Sequence, residues 1–162
     1  MATVQKISPC LWFDQEAEEA AAFYCAIFPD SRIRAVARYP EGGPGEPGSA
    51  MVVDFVLAGQ DFLGLNGGPM FTFSEAISLI VKCADQAEID HYWDRLVADG
   101  GSPAQCGWLK DRFGLSWQVV PDTIADYYLG GDPARSGRVM QAVMGMTKLD
   151  IAAMDAARDG RG

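Results

Sequence analysis

Apolar residues along the chain fall into two alternating rhythms, and the alternation occurs twice. Residues 7–13 form a short apolar run ending at Asp14; apolar residues then recur at Ala17, Ala20, Ala21, Tyr24, Ile27 and Phe28 until Pro29 interrupts. The run predicts a strand, the three-and-four spacing predicts one face of an amphipathic helix, and proline cannot continue that helix. Residues 31–39, 50–57 and 62–66 predict three more strands, joined by the Gly/Pro-rich stretch 40–48 and by Ala58-Gly59-Gln60-Asp61. The first module therefore reads β-α-β-β-β.

The rhythm restarts at residues 76–83, passes Asp85, and enters a helix whose apolar face is Ile89, Tyr92, Trp93, Leu96 and Val97, closed by Gly100-Gly101. Short strands near 105–109 and 115–120 flank the turn at 110–114, a compressed copy of the same unit. Ile7-Ser8 precedes Asp14-Gln15-Glu16-Ala17-Glu18 much as Ile77-Ser78 precedes Asp85-Gln86-Ala87-Glu88, which points to a duplication. The expected fold is α+β: two tandem βαβββ modules, residues 4–70 and 74–121, forming a cupped mixed sheet in one domain. A helical tail, 122–162, follows; Val139, Met140, Val143 and Met144 share a stripe, and Asp150 is a candidate N-cap for the last helix.

Composition narrows the function classes. A length of 162 residues with 49% apolar content suits one domain with a sizeable core. The formal charge of −9 opposes nucleic acid and anionic membrane surfaces, and no apolar run reaches the ~18 residues of a membrane span. Cys10, Cys25, Cys83 and Cys106 are scattered without a Cys-x-x-Cys pair, and no leader pattern opens the chain, so free thiols and a cytoplasmic location are expected.

Alternation sorts the strand faces, because residues two apart share one. Ile7, Pro9, Leu11 and Phe13 are assigned to the helix, leaving Ser8, Cys10 and Trp12 for the concave side. In the third strand Val53, Phe55 and Leu57 go to the helix and Val52, Asp54 and Val56 opposite; in the fourth, Leu63 and Leu65 go to the core and Phe62, Gly64 and Asn66 to the cup. Module two contributes Ser78, Ile80 and Lys82 from its first strand and Ser116 and Gln118 from its last, with Trp108 at the rim. Leu79, Val81, Cys83, Leu115, Trp117 and Val119 go to its core with Ile77.

Several segments resemble a known family: Ser8-Pro9-Cys10-Leu11-Trp12-Phe13, the stretch from Phe62 through Asn66-Gly67-Gly68-Pro69, Cys106-Gly107-Trp108-Leu109-Lys110-Asp111, Gly114 through Pro121, and the tail from Val139 to Ala152. Together they resemble the vicinal oxygen chelate superfamily, which includes glyoxalase I, bleomycin-resistance proteins and extradiol dioxygenases, in its PhnB-like branch. Members of that branch are often named 3-demethylubiquinone-9 3-methyltransferase. The resemblance implies metal ligands on the first and last strands of each module, at positions that match Ser8, Asn66, Ser78 and Gln118. Neutral hydroxyls and amides coordinate divalent metals too weakly, so a metal-free site and no cofactor are expected. Asn66-Gly67-Gly68-Pro69 ends a strand and leads towards another strand, unlike a loop that cradles a nucleotide-like cofactor before a helix.

The candidate ligand-binding residues are thus Ser8, Cys10, Trp12, Asp54, Phe62, Asn66, Ser78, Trp108, Ser116 and Gln118, suited to a polar or aromatic small molecule. Three functions compete: small-molecule binding, metal-dependent lyase, isomerase or dioxygenase chemistry, and a structural role with a plugged cup. Asp54 reads as a salt-bridged strand residue, Cys10 as a packing thiol, and His91, the sole histidine, as a helix-surface residue. The tail's stripe and the resemblance both lead to an expected homodimer.

Overall fold

Two short amphipathic helices with the predicted apolar stripes each cover one face of a four-stranded sheet. The computed structural model describes residues 4–129 and 131–161; residues 1–3, included in the reading of the N-terminus, and tail residues 130 and 162 lie outside the described residues. The chain divides into two compact units, Met1–Phe73 and Ser74–Gly162.

Unit one runs β1 (Cys10–Phe13), α1 (Ala17–Ile27), β2 (Arg32–Arg38), β3 (Ala50–Leu57) and β4 (Gln60–Asn66). Its sheet order is β1-β4-β3-β2, with β1 parallel to β4 and the other pairs antiparallel. α1 buries Ala17, Ala20, Ala21, Tyr24 and Ile27 against Val53, Phe55 and Leu57. Unit two repeats the order: β5 (Leu79–Cys83), α2 (Gln86–Val97), β6 (Ser102–Pro103), β7 (Trp108–Lys110) and β8 (Ser116–Pro121), in a β5-β8-β7-β6 sheet with β5 parallel to β8. The fold is therefore α+β with two βαβββ modules. β6, too short for periodicity to reveal, and the bend at Cys106 and Gly107, where φ is +61° and +80°, are the differences in module two.

Registers identify equivalent positions. Cys10 pairs with Leu63 three residues before the end of β1, and Ile80 pairs with Gln118 three residues before the end of β5. Leu63, rather than Asn66, is thus the counterpart of Gln118, and Trp108 is the counterpart of Asp54.

The helices start differently. Asp85 caps α2 locally, accepting from Glu88 N at 2.9 Å while Glu88 accepts from Ala84 N at 2.6 Å, a capping box. α1 has no cap from Glu16; instead Asn66, at the end of β4, accepts from Ala17 N at 2.8 Å and donates to Gln15 O and Ala50 O.

After β8 come α3 (Ile124–Tyr128), α4 (Pro133–Met144) and α5 (Ile151–Arg158). They bury Tyr127, Val139, Val143, Leu149 and Met154 around Val120 of β8. The Gln86 side chain donates to Leu149 O and accepts from Ile151 N, Lys148 pairs with Asp90 at 2.9 Å, and Cys106 N and Gly107 N donate to Met146 O and Thr147 O. The tail is thereby built into unit two. The expected single stripe on α4 splits: Val139 and Val143 are buried within the chain, whereas Met140 and Met144 remain 53% and 67% exposed, because residues one position apart on a helix point about 100° apart. No helix among the described residues is long and apolar enough to cross a membrane.

Candidate functional site

Each sheet has a face turned away from its own helix, and these far faces carry most of the candidate residues. In module one Cys10, Leu63, Asp54 and Ala35 lie side by side, with Trp12, Leu65, Val52 and Ala37 in the next row. Arg34, at a bulge in β2, bonds Asp54 at 2.5 Å and Asp61 at 2.8 Å, and the Asp54 hydrogen bond is the main reason its guanidinium is held above the ordinary value. Asp54 is therefore committed to an ion pair and is not poised as a base. Cys10 is exposed, and His91 is exposed on α2 beside Tyr92, outside the far face.

Two sequence assignments in β4 are reversed. Phe62 stacks on Phe55 in the helix-side core, and Asn66 is a buried helix cap with both amide atoms bonded, so neither belongs to the far face. Gly64 lies on the same side, where a Cβ would come within 3.2 Å of Ala17 Cβ; Leu63 and Leu65 take the far face instead. Ser8 precedes β1, is exposed, and accepts from Gln5 at 3.3 Å. Ile7 and Ile77, assigned to the helix side, are 87% and 69% exposed because both lie before the paired part of their strands.

Trp12 is seated by the segment after β4. Its indole donates to Gly68 O at 2.9 Å and meets Phe71 edge-on, and a Cβ at Gly67 would overlap the ring. Gly67 N and Gly68 N donate to Phe13 O and Asp14 O, so this glycine pair has no free N–H to offer a cofactor's phosphate or carboxylate. A cavity of about 550 Å³ lies nearby, lined by Asp14, Glu18, Glu46, Tyr39 and Asn66 among others.

In module two the far face brings Ser78, Trp108, Ser116 and Gln118 together. Gln118 donates to Ser78 Oγ at 2.8 Å, and Trp108 pairs with Gln118 across the ladder. Ser102, Lys110 and Ser116 form the next row. Glu75 meets Lys110 at 2.6 Å, and that hydrogen bond holds its carboxyl below the usual carboxylate range. A cavity of about 260 Å³ is lined by Glu75, Ser102, Trp108, Lys110 and Ser116. Ser116 is 1% exposed, and its hydroxyl has no hydrogen-bond partner. The tail covers Val120 at the opposite end of the same strand face.

Sequence reading missed Asp111. Its buried carboxylate accepts from Phe113 N, Leu115 N and the Trp117 indole, organising the β7–β8 turn; an Asp three residues before a glycine was the available signal. Among the described residues no three of His, Cys, Asp and Glu are grouped to hold a metal ion. The Ser78–Gln118 pair is neutral and already hydrogen-bonded, so the residues present do not fit a divalent metal.

The pattern of one protein family, described as 3-demethylubiquinone-9 3-methyltransferase, matches residues 5–120. A PhnB protein from Bacillus cereus with that description is 37% identical, with a TM-score of 0.66 over 72% of this chain and 99% of that one. A protein from Pseudomonas aeruginosa is 19% identical (TM-score 0.60, covering 73% and 98%). The fosfomycin resistance protein FosX from Listeria monocytogenes, complexed with Mn(II) and 1S,2S-dihydroxypropylphosphonic acid, is 15% identical (TM-score 0.53, covering 75% and 96%) and shares the fold. No curated protein matches. The chain belongs to the family described as 3-demethylubiquinone-9 3-methyltransferase, the PhnB-like branch of the vicinal oxygen chelate superfamily.

Proposed function

We propose that this protein is a cytoplasmic small-molecule-binding member of its family that uses neither a divalent metal nor S-adenosylmethionine. The observation that carries the reading is the cavity over β7 and β8, where an aromatic wall, an ion pair and a buried unpartnered hydroxyl converge. Such a combination of apolar surface and a few polar groups is the usual make-up of a ligand site. Binding without metal is supported by the neutral Ser78–Gln118 pair, in contrast to the Mn(II) held by FosX. Binding without the methyl donor is supported by the two glycine N–H groups already bonded within the chain.

A structural role is the competing reading, favoured by the same Ser78–Gln118 bond and by the tail over Val120. A thermal-shift screen of the full chain against small aromatic and polar compounds separates the two, since a ligand that binds only the folded state raises the midpoint. Saturable stabilisation by at least one compound class is expected; a flat screen supports the structural role. A homodimer belongs to the same proposal, supported by the exposed Met140 and Met144; light scattering should show a dimer that M140K/M144K weakens.

A further inference from the structure

We propose that the module-two cavity takes a small organic carboxylate with a flat apolar body, bound by displacing Glu75 from Lys110. The inference rests on the small-molecule reading above and specifies the ligand's chemistry.

Three features define that chemistry. Lys110 offers an ammonium with three N–H donors, of which the Glu75 pair at 2.6 Å engages one. Ser116 adds a hydroxyl that is buried without a partner, in a position where burial normally demands one. The cavity wall is therefore rich in donors, and the ligand must bring acceptors. Trp108, half-buried on the adjoining row, supplies a flat apolar surface for the remainder of the ligand. At about 260 Å³ the cavity lies below the ~300–1,000 Å³ typical of drug-sized ligands, so one ring bearing one acid group is the appropriate scale.

Glu75 shows which acceptor fits. Its carboxylate already occupies the ammonium as a ligand's would, from a side chain 64% exposed and placed before β5, where it is free to move to water. A ligand carboxylate that replaces it keeps the charge-assisted bond and can extend to the Ser116 hydroxyl once the Lys110 stem, 39% exposed, turns aside. Glu75 then acts as an internal competitor that holds the empty cavity neutral.

The test is calorimetric titration of the full chain with benzoate, and with benzamide as its neutral isostere, followed in parallel through the Trp108 indole N–H signal. Benzoate is expected to bind at least tenfold more tightly than benzamide. Lys110→Gln and Ser116→Ala should each weaken it about tenfold, and Glu75→Gln should tighten it severalfold by releasing the ammonium. Unchanged unfolding midpoints confirm that the variants fold. Equal binding of benzoate and benzamide, or tightening absent in Glu75→Gln, overturns the carboxylate inference while leaving the binding reading intact. Absence of binding by benzoate overturns the inference, and a flat wider screen as well overturns both.

Discussion

Asn66 gives the sharpest division between a binding role and a structural one. Replacing it with alanine removes the acceptor for Ala17 N and the donor to Gln15 O and Ala50 O. Ala17 and Ala50 are 0% and 7% exposed, so both lose a partner that bulk water does not readily replace, whereas Gln15 is exposed and recovers. Each unsatisfied group costs ~1–3 kcal/mol, and loss of a helix cap alone costs ~0.5–2 kcal/mol. Because Asn66 borders the 550 Å³ cavity, water offsets part of this loss, and the expected destabilisation is about 3 kcal/mol, or roughly 6–12 °C in the midpoint for a chain of this size. Asn66→Asp keeps the Ala17 contact but turns a second oxygen towards two carbonyls in a buried place. Its folded-state pKa should therefore lie above the unfolded ~3.9, so the variant's stability is present at low pH and lost as pH rises through the folded value. Guanidinium denaturation at pH 7 and pH 4 checks both variants, with the aspartate deficit smaller at pH 4. An unchanged midpoint in Asn66→Ala, with weaker small-molecule binding, would refute the capping argument and restore Asn66 as a ligand group.

Gly107→Ala should cost at least ~2 kcal/mol, since φ is +80° and the new Cβ would sit 2.9 Å from Leu149 Cγ; urea melts test this, and a neutral result contradicts the packing described. Gln86→Ala removes both bonds that hold residues 149–151, so limited proteolysis should cut the tail faster than in the unsubstituted protein while β5 to β8 stay protected. Burial pushes the Cys83 thiol up to about 12, and burial followed by the Asp155 hydrogen bond pushes Tyr127 up to about 12. Both contributions are complete below the unfolded values of ~8.5 and ~10 and decline as pH rises towards 12, so denaturation midpoints should fall from pH 8 to pH 11. Under native conditions iodoacetamide should label exposed Cys10 well before Cys83, as read by mass spectrometry.

Module topology was legible because core-facing stripes, turn residues and strand alternation agree with one another. The bounds of β3 are those that alternation predicts, and all the buried residues of α1 lie on the predicted stripe. β4 failed because Phe62, Leu63 and Leu65 make both parities apolar, and glycine and asparagine then look like the solvent side. In fact Gly64 is small because Ala17 approaches it, and Asn66 is polar because a helix start needs an acceptor. Neither requirement can be read without knowing which helix lies above. The equivalence of Asn66 and Gln118 failed for the same reason, since only the register shows that Leu63 is opposite Cys10. The tail's amphipathic character was legible, but not the half that Leu149 and Met154 would cover, because that depends on Gln86 holding a carbonyl 63 residues away.

The clasp of the tail on module two has a consequence for the newly made chain. Residues 4–73 contain all the strands and the helix of module one, including the distant cap Asn66, and can close as soon as they have emerged. Module two cannot finish at β8: the N–H groups of Cys106 and Gly107 wait for Met146 and Thr147, and Val120 waits for Leu149 and Met154. Until the final helix leaves the ribosome, half of the protein has an uncovered apolar strand end and two unanswered amides. A stop codon or an arrest anywhere between residues 122 and 145 would therefore leave a folded first half attached to a sticky second half, a natural target for chaperones or proteases.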